Sequence, residues 1–171
     1  HLLESQREKY GKQTQFIASC VLCLVSEGLF NKFLGHEMDA LRQNVIEWIE
    51  EDTDDKSSAK QLWEAYRALE QKDGNIIFDH LRRCQHLKKQ SSRGDAKDSK
   101  LLLGLLTVLA HRFEGQRDRA LRELYKTYSH IDRQPHSPIL SIVQILGTDL
   151  LLNEQRFDDA HDWVRKLHQD I

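Results

Sequence analysis

Residues 99–171 contain the same unit twice. Shifted by forty residues, the apolar positions coincide: Leu102 falls on Ile142, Leu103 on Val143, Leu105 on Ile145, Leu106 on Leu146 and Ala110 on Leu150. The polar stretch that follows coincides too, with Glu114-Gly115-Gln116-Arg117-Asp118-Arg119-Ala120 over Glu154-Gln155-Arg156-Phe157-Asp158-Asp159-Ala160, and then Leu124 over Val164. An apolar helix, a tight polar turn and a second amphipathic helix at a fixed period predict an array of helix hairpins. A single such hairpin cannot bury its apolar face, so each copy needs a neighbour.

The upstream chain carries weaker copies of the same unit. Glu27-Gly28-Leu29-Phe30 has the turn chemistry, and the long amphipathic pattern after it carries Phe33, Leu34, Leu41, Val45, Trp48 and Ile49. Residues 50–55 read as an acidic linker, after which Ser57 or Ser58 offers an N-cap. Leu62, Trp63, Tyr66 and Leu69 then mark one helix face, and Ile76, Ile77, Leu81, Cys84 and Leu87 mark its partner. Gly74 is assigned the turn position that Gly28, Gly115 and Gln155 hold elsewhere, which gives intervals of 46, 41 and 40 residues. Residues 91–98 have linker composition, Asp98 or Ser99 is expected to cap the third hairpin, and Ser137-Pro138 sets the start of the fourth.

With two prolines, eight glycines and no plausible strand, the reading is all-α: a right-handed α-solenoid of about four antiparallel helix hairpins. Their approximate bounds are 13–50, 57–90, 98–132 and 137–171, within a single domain over 1–171. The start at His1 and the uncapped last helical pattern are read as the edges of a fragment of a longer protein.

The turns resemble tetratricopeptide-like repeats. In that family a small residue closes the first helix, an aromatic enters the second, and an alanine sits where the helices cross. Gly115 with Ala120 and Leu124 fits, as do Phe157, Ala160 and Val164, with Gly28 and Phe30 fitting in part. Small residues at the crossing let helix axes approach to about 8 Å. The unit here is longer than that family's period of about 34 residues, and Leu146-Gly147 stands one residue out of place; HEAT-type repeats are the competitor on period. The resemblance implies a scaffold or adaptor that binds another protein, as a peptide or a helix, within a multi-subunit complex.

The chemistry-bearing residues fit that reading. Cys20 and Cys23 form a C-x-x-C, but inside an apolar helix, where that spacing places two small hydrophobes on one face. His80 and Cys84 share a helix face while His86 points elsewhere, so three metal ligands do not converge. The sequence offers no activated nucleophile, no facing carboxylates and no glycine-rich phosphate loop, so a non-enzymatic protein without metal or cofactor is expected. Three cysteines without framework spacing point to an intracellular, reducing compartment, cytoplasm or nucleus, and the apolar runs are too short for a membrane span.

Polar positions on the first helix of each hairpin are the candidate partner-binding residues: Lys60, Glu64, Arg67 and Gln71; Lys100, Thr107 and His111; and Ser141, Gln144 and Thr148. The outward face of the last helix, with Trp163 and Phe157, is a second candidate. Arg82, Arg83, Lys88, Lys89, Arg93 and Lys97 form the one basic concentration. A net charge of −2 and the lack of interleaved aromatics favour a solvated face there, with nucleic acid as the alternative partner.

Overall fold

A computed structural model gives the fold; the residues it describes are Cys20, Val21, Leu24 and residues 39–52, 57–90, 97–129 and 138–169. Among them all regular structure is helical, with no strand. The helices whose bounds fall among the described residues are α1 (Asp39–Asp52), α2 (Ser58–Arg67), α3 (Gly74–Gln90), α4 (Lys97–Phe113), α5 (Arg117–Ser129), α6 (Pro138–Asn153) and α7 (Phe157–Gln169). A 3-10 segment, Ala68–Gln71, prolongs α2. The helices pack as pairs, α2 on α3, α4 on α5 and α6 on α7, and each pair also touches the next, α3 against α4 and α5 against α6.

Three-residue turns make the α4–α5 and α6–α7 pairs. At the end of α4, Gly115 N–H donates to the Arg112 carbonyl (3.0 Å) and Gln116 N–H to that of His111 (2.8 Å). At the end of α6, Gln155 N–H donates to Leu152 (2.9 Å) and Arg156 N–H to Leu151 (3.0 Å). This is the Schellman arrangement, and it needs a left-handed residue just past the helix. Gly115 (φ 67°) and Gln155 (φ 57°) supply it, as their alignment predicts.

The second pair departs from expectation. Its left-handed residue is Lys72 (φ 52°), not Gly74. Gly74 instead opens α3, and it is a glycine for a different reason: a side chain there would run into the Ala110 carbonyl and the Glu114 side chain. Counted from Lys72, the turn-to-turn intervals are 43 and 40 residues.

Ser57 is the N-cap of α2, its hydroxyl accepting from Lys60 N–H at 3.1 Å. Pro138 is the first residue of α6 as predicted; Ser137 lies outside the described residues. Asp98 and Ser99 are already inside α4, which starts at Lys97. Helix α1 runs on through Asp52, so the acidic stretch begins inside a helix. The turn at 27–30 lies outside the described residues.

The core follows the repeat. Leu102 and Ile142, Leu106 and Leu146, and Ala110 and Leu150 are buried in register, as are Ala120 and Ala160. Cys20 and Cys84 are buried; Cys23 lies outside the described residues. Two mid-helix glycines let helices within a pair approach closely: a Cβ on Gly104 would meet the Thr127 side chain, and one on Gly147 would meet the Trp163 indole.

Gly147→Ala should therefore lower stability by about 1–3 kcal/mol through overpacking. Gln155→Gly, which removes a left-handed side chain, should raise it by about 0.5–1 kcal/mol. Urea unfolding midpoints at unchanged m-value measure both.

Candidate interaction surface

Along α2 the predicted polar residues form a chain of ion pairs. Lys60 Nζ lies 3.5 Å from Glu64, Glu64 lies 3.8 Å from Arg67, and Arg67 reaches Glu50 on α1 at 3.9 Å. Gln71 is exposed at the end of the 3-10 segment. On α4, Lys100 is exposed, while Thr107 donates its hydroxyl to the Leu103 carbonyl at 2.7 Å. His111 is half-buried, with Nδ1 3.1 Å from Gln116 Oε1 and its ring edge-on to Phe78 of α3 (centroids 4.7 Å apart). On α6, Thr148 donates to the Gln144 carbonyl at 2.8 Å, and both residues are half-buried; Ser141 is helical, with its side chain outside the described residues. The structure thus links Lys60, Glu64 and Arg67 in one surface network, ties Thr107 and Thr148 to their own helices, and holds His111 between the turn after α4 and Phe78 of α3. The network carries both signs of charge.

Trp163 is a correction. It is 3% exposed and belongs to the core rather than to an outward face. The space left by Gly147 receives its indole, whose Nε1–H donates to the Gln144 carbonyl at 3.4 Å. Tyr125 and Tyr128 of α5 pack on the ring, with centroids 5.0 and 5.5 Å away. Phe157, by contrast, is 64% exposed.

Of the basic stretch, Arg82 and Arg83 are exposed on α3, and Arg82 pairs with Asp79 at 3.1 Å. The backbone of Lys88 and Lys89 is helical, but their side chains lie outside the described residues, as does all of Arg93. Cys84 is sealed in the core and His86 is exposed, so the two do not meet. His80 has Nδ1 3.1 Å from Gln61 Oε1 of α2. Burial holds its pKa below the ordinary imidazole value, and the neighbouring Arg83 charge lowers it further, against smaller opposing effects of Glu64 and Asp79.

The most regular polar contacts join one pair to the next at the turns. Glu114 accepts from Gly74 N–H (3.0 Å) and from the Asn75 side-chain amide (3.1 Å), both at the start of α3. Asp73 caps the same helix end, its Oδ1 accepting from Asn75 N–H (2.9 Å) and Ile76 N–H (3.3 Å). One unit further on, Glu154 takes the place of Glu114, and Arg117 at the start of α5 donates to it at 3.2 Å. Arg112 adds an ion pair to Asp149 at 2.7 Å across the same junction. These residues carry no sign of an interface in the sequence. Glu114 and Glu154 do align there, but aligned acids at a turn are equally explained by the turn itself.

The same register has a second consequence. Forty residues beyond Arg112 and Arg117, the two cations that hold the following pair, stand Leu152 and Phe157. Leu152 is 46% and Phe157 64% exposed; with Tyr125 they are the exposed large hydrophobics among the described residues.

No helix among the described residues is long and apolar enough to cross a membrane. Comparison with protein-family models, with curated proteins and with solved structures finds no match to the chain.

Glu114→Ala should cost about 1–2 kcal/mol, since it strands a helix-start N–H beneath it. Glu154→Ala, which breaks an exposed ion pair, should cost less than about 1 kcal/mol; urea denaturation of both variants checks the order. For His80 the folded pKa lies below that of the unfolded chain. Its contribution is therefore complete above the unfolded imidazole pKa and is lost as pH falls through the folded one. His80→Gln should accordingly flatten the fall in stability on acidification below neutrality, read as a shallower drop in melting temperature than in the parent protein.

Proposed function

We propose that the chain is a non-catalytic protein-interaction scaffold: a tetratricopeptide-like, right-handed α-solenoid of helix hairpins that holds a partner peptide or helix within a larger intracellular complex. One observation carries this reading. Glu114 and Glu154, at equivalent turns, each grip the helix that begins in the preceding pair, so the pairs are joined by the same device at successive steps. Pairs added by a repeated contact form an array whose first helices share one extended surface. On that surface lie Lys60, Glu64, Arg67, Gln71, Lys100, Gln144 and Thr148. Its mixed charges and amides suit the backbone and side chains of a polypeptide, with apolar anchors supplying most of the affinity.

The test is affinity capture from cell extract by the chain and by a Gln71→Lys/Lys100→Glu variant, washed at low and high salt and treated with nuclease. Both substituted side chains are exposed. The scaffold reading expects protein partners that survive nuclease and high salt and that the variant loses. Recovery of nucleic acid alone, released steeply as salt rises, overturns it in favour of phosphate binding through Arg82 and Arg83.

A further inference from the structure

His80 stands half-buried between α2 and α3, beside the ion pairs of the α2 surface. Gln61 Oε1 can only accept a hydrogen bond, so Nδ1, the ring nitrogen 3.1 Å from it, carries the proton of the neutral imidazole. Nε2 is then the nitrogen left to take a second proton. Of the elements packed on α3, α2 offers Gln61 and Glu64 to this ring, and α3 itself offers Asp79 and Arg83. Helix α4 meets α3 elsewhere, through His111 on Phe78 and Glu114 at Gly74. Among the described residues, the charges that act on His80 are Arg83, which disfavours the imidazolium, and Glu64 and then Asp79, which favour it.

The two carboxylates differ in how firmly they are held. Asp79 is engaged by Arg82 at 3.1 Å. Glu64, one turn beyond Gln61 on α2, is shared between Lys60 at 3.5 Å and Arg67 at 3.8 Å. Both contacts are longer than a hydrogen-bonded ion pair, about 2.7–2.9 Å, so Glu64 is the carboxylate that can be redirected at little cost.

We infer that His80 is a proton-operated switch on the α2 surface: when its ring takes a second proton, Glu64 turns from Arg67 and Lys60 to the imidazolium. Arg67 then keeps its contact with Glu50 of α1, and the surface as a whole gains one positive charge. Burial, and after it the Arg83 charge, keep the ring neutral until the pH falls below the ordinary imidazole range, so the switch works on the acid side. The coupling is reciprocal: the carboxylate that answers the imidazolium also holds the His80 pKa up. The switch needs no partner to operate, so it stands apart from the scaffold reading; what it would regulate there is the charge of the α2 surface.

The test is an NMR pH titration of the chain that follows the His80 ring together with the Arg67 Nε–H signal. Arg67 should shift through an inflection at the pH where His80 titrates. His80→Gln, which keeps a donor for Gln61 but no titrating ring, should lose that inflection. Glu64→Gln should lose it as well and lower the His80 pKa. Arg83→Gln should raise that pKa and carry the Arg67 inflection up with it. An Arg67 signal that ignores His80, an inflection that survives His80→Gln, or a His80 pKa unmoved by Glu64→Gln overturns the inference. Collective loss of the α2 and α3 amide signals at the same pH also overturns it, since the response would then be unfolding. No partner enters this experiment, so its failure and that of the capture experiment are separable.

Discussion

A helix that ends on a left-handed residue and is followed three residues later by another helix has little choice of direction. The Schellman bonds at Gly115–Gln116 and Gln155–Arg156 fix the angle at which α5 leaves α4 and α7 leaves α6. The two members of a pair then bury their apolar stripes on each other, and glycines at positions 104 and 147 set how closely they lie. That reversal also brings the last turn of the first helix beside the first turn of the second. Glu114 and Glu154 are therefore held at the rim, where they reach the helix start of the pair before.

The two junctions use one carboxylate differently. Glu114 meets backbone N–H of α3, whose orphan donors and positive dipole end favour an anion, and Asp73 satisfies the donors that Glu114 does not reach. That contact is possible because Gly74 has no Cβ in the way. At the next junction the residue in Gly74's place is Arg117, and its long side chain carries the donor outward to Glu154. The result is an exposed ion pair, weaker than a carboxylate seated on a helix end.

Much of this fold can be read from the chain itself. The forty-residue register, the Gly115 and Gln155 turns, the Ser57 cap and the buried apolar positions each follow from local pattern. What fails is any residue whose role depends on a second element. Gly74 looks like a turn glycine because glycine most often marks a left-handed position, yet here it marks an approach by Glu114, forty residues away. Trp163 looks like an anchor because of its size, and only Gly147 on another helix explains why it is buried. Among the candidate surface residues, Lys60, Glu64 and Arg67 keep their place in one surface ion-pair network. The half-buried Thr107 and Thr148 are tied to their own helices, and His111 to the turn after α4, by bonds that polarity alone does not reveal.

Within one chain, neighbouring pairs are tethered at high effective concentration, so a junction needs only enough specificity to choose its register. Exposed ion pairs worth up to about 1 kcal/mol each suffice for that. The arginines at 112 and 117 therefore suit a contact inside the molecule.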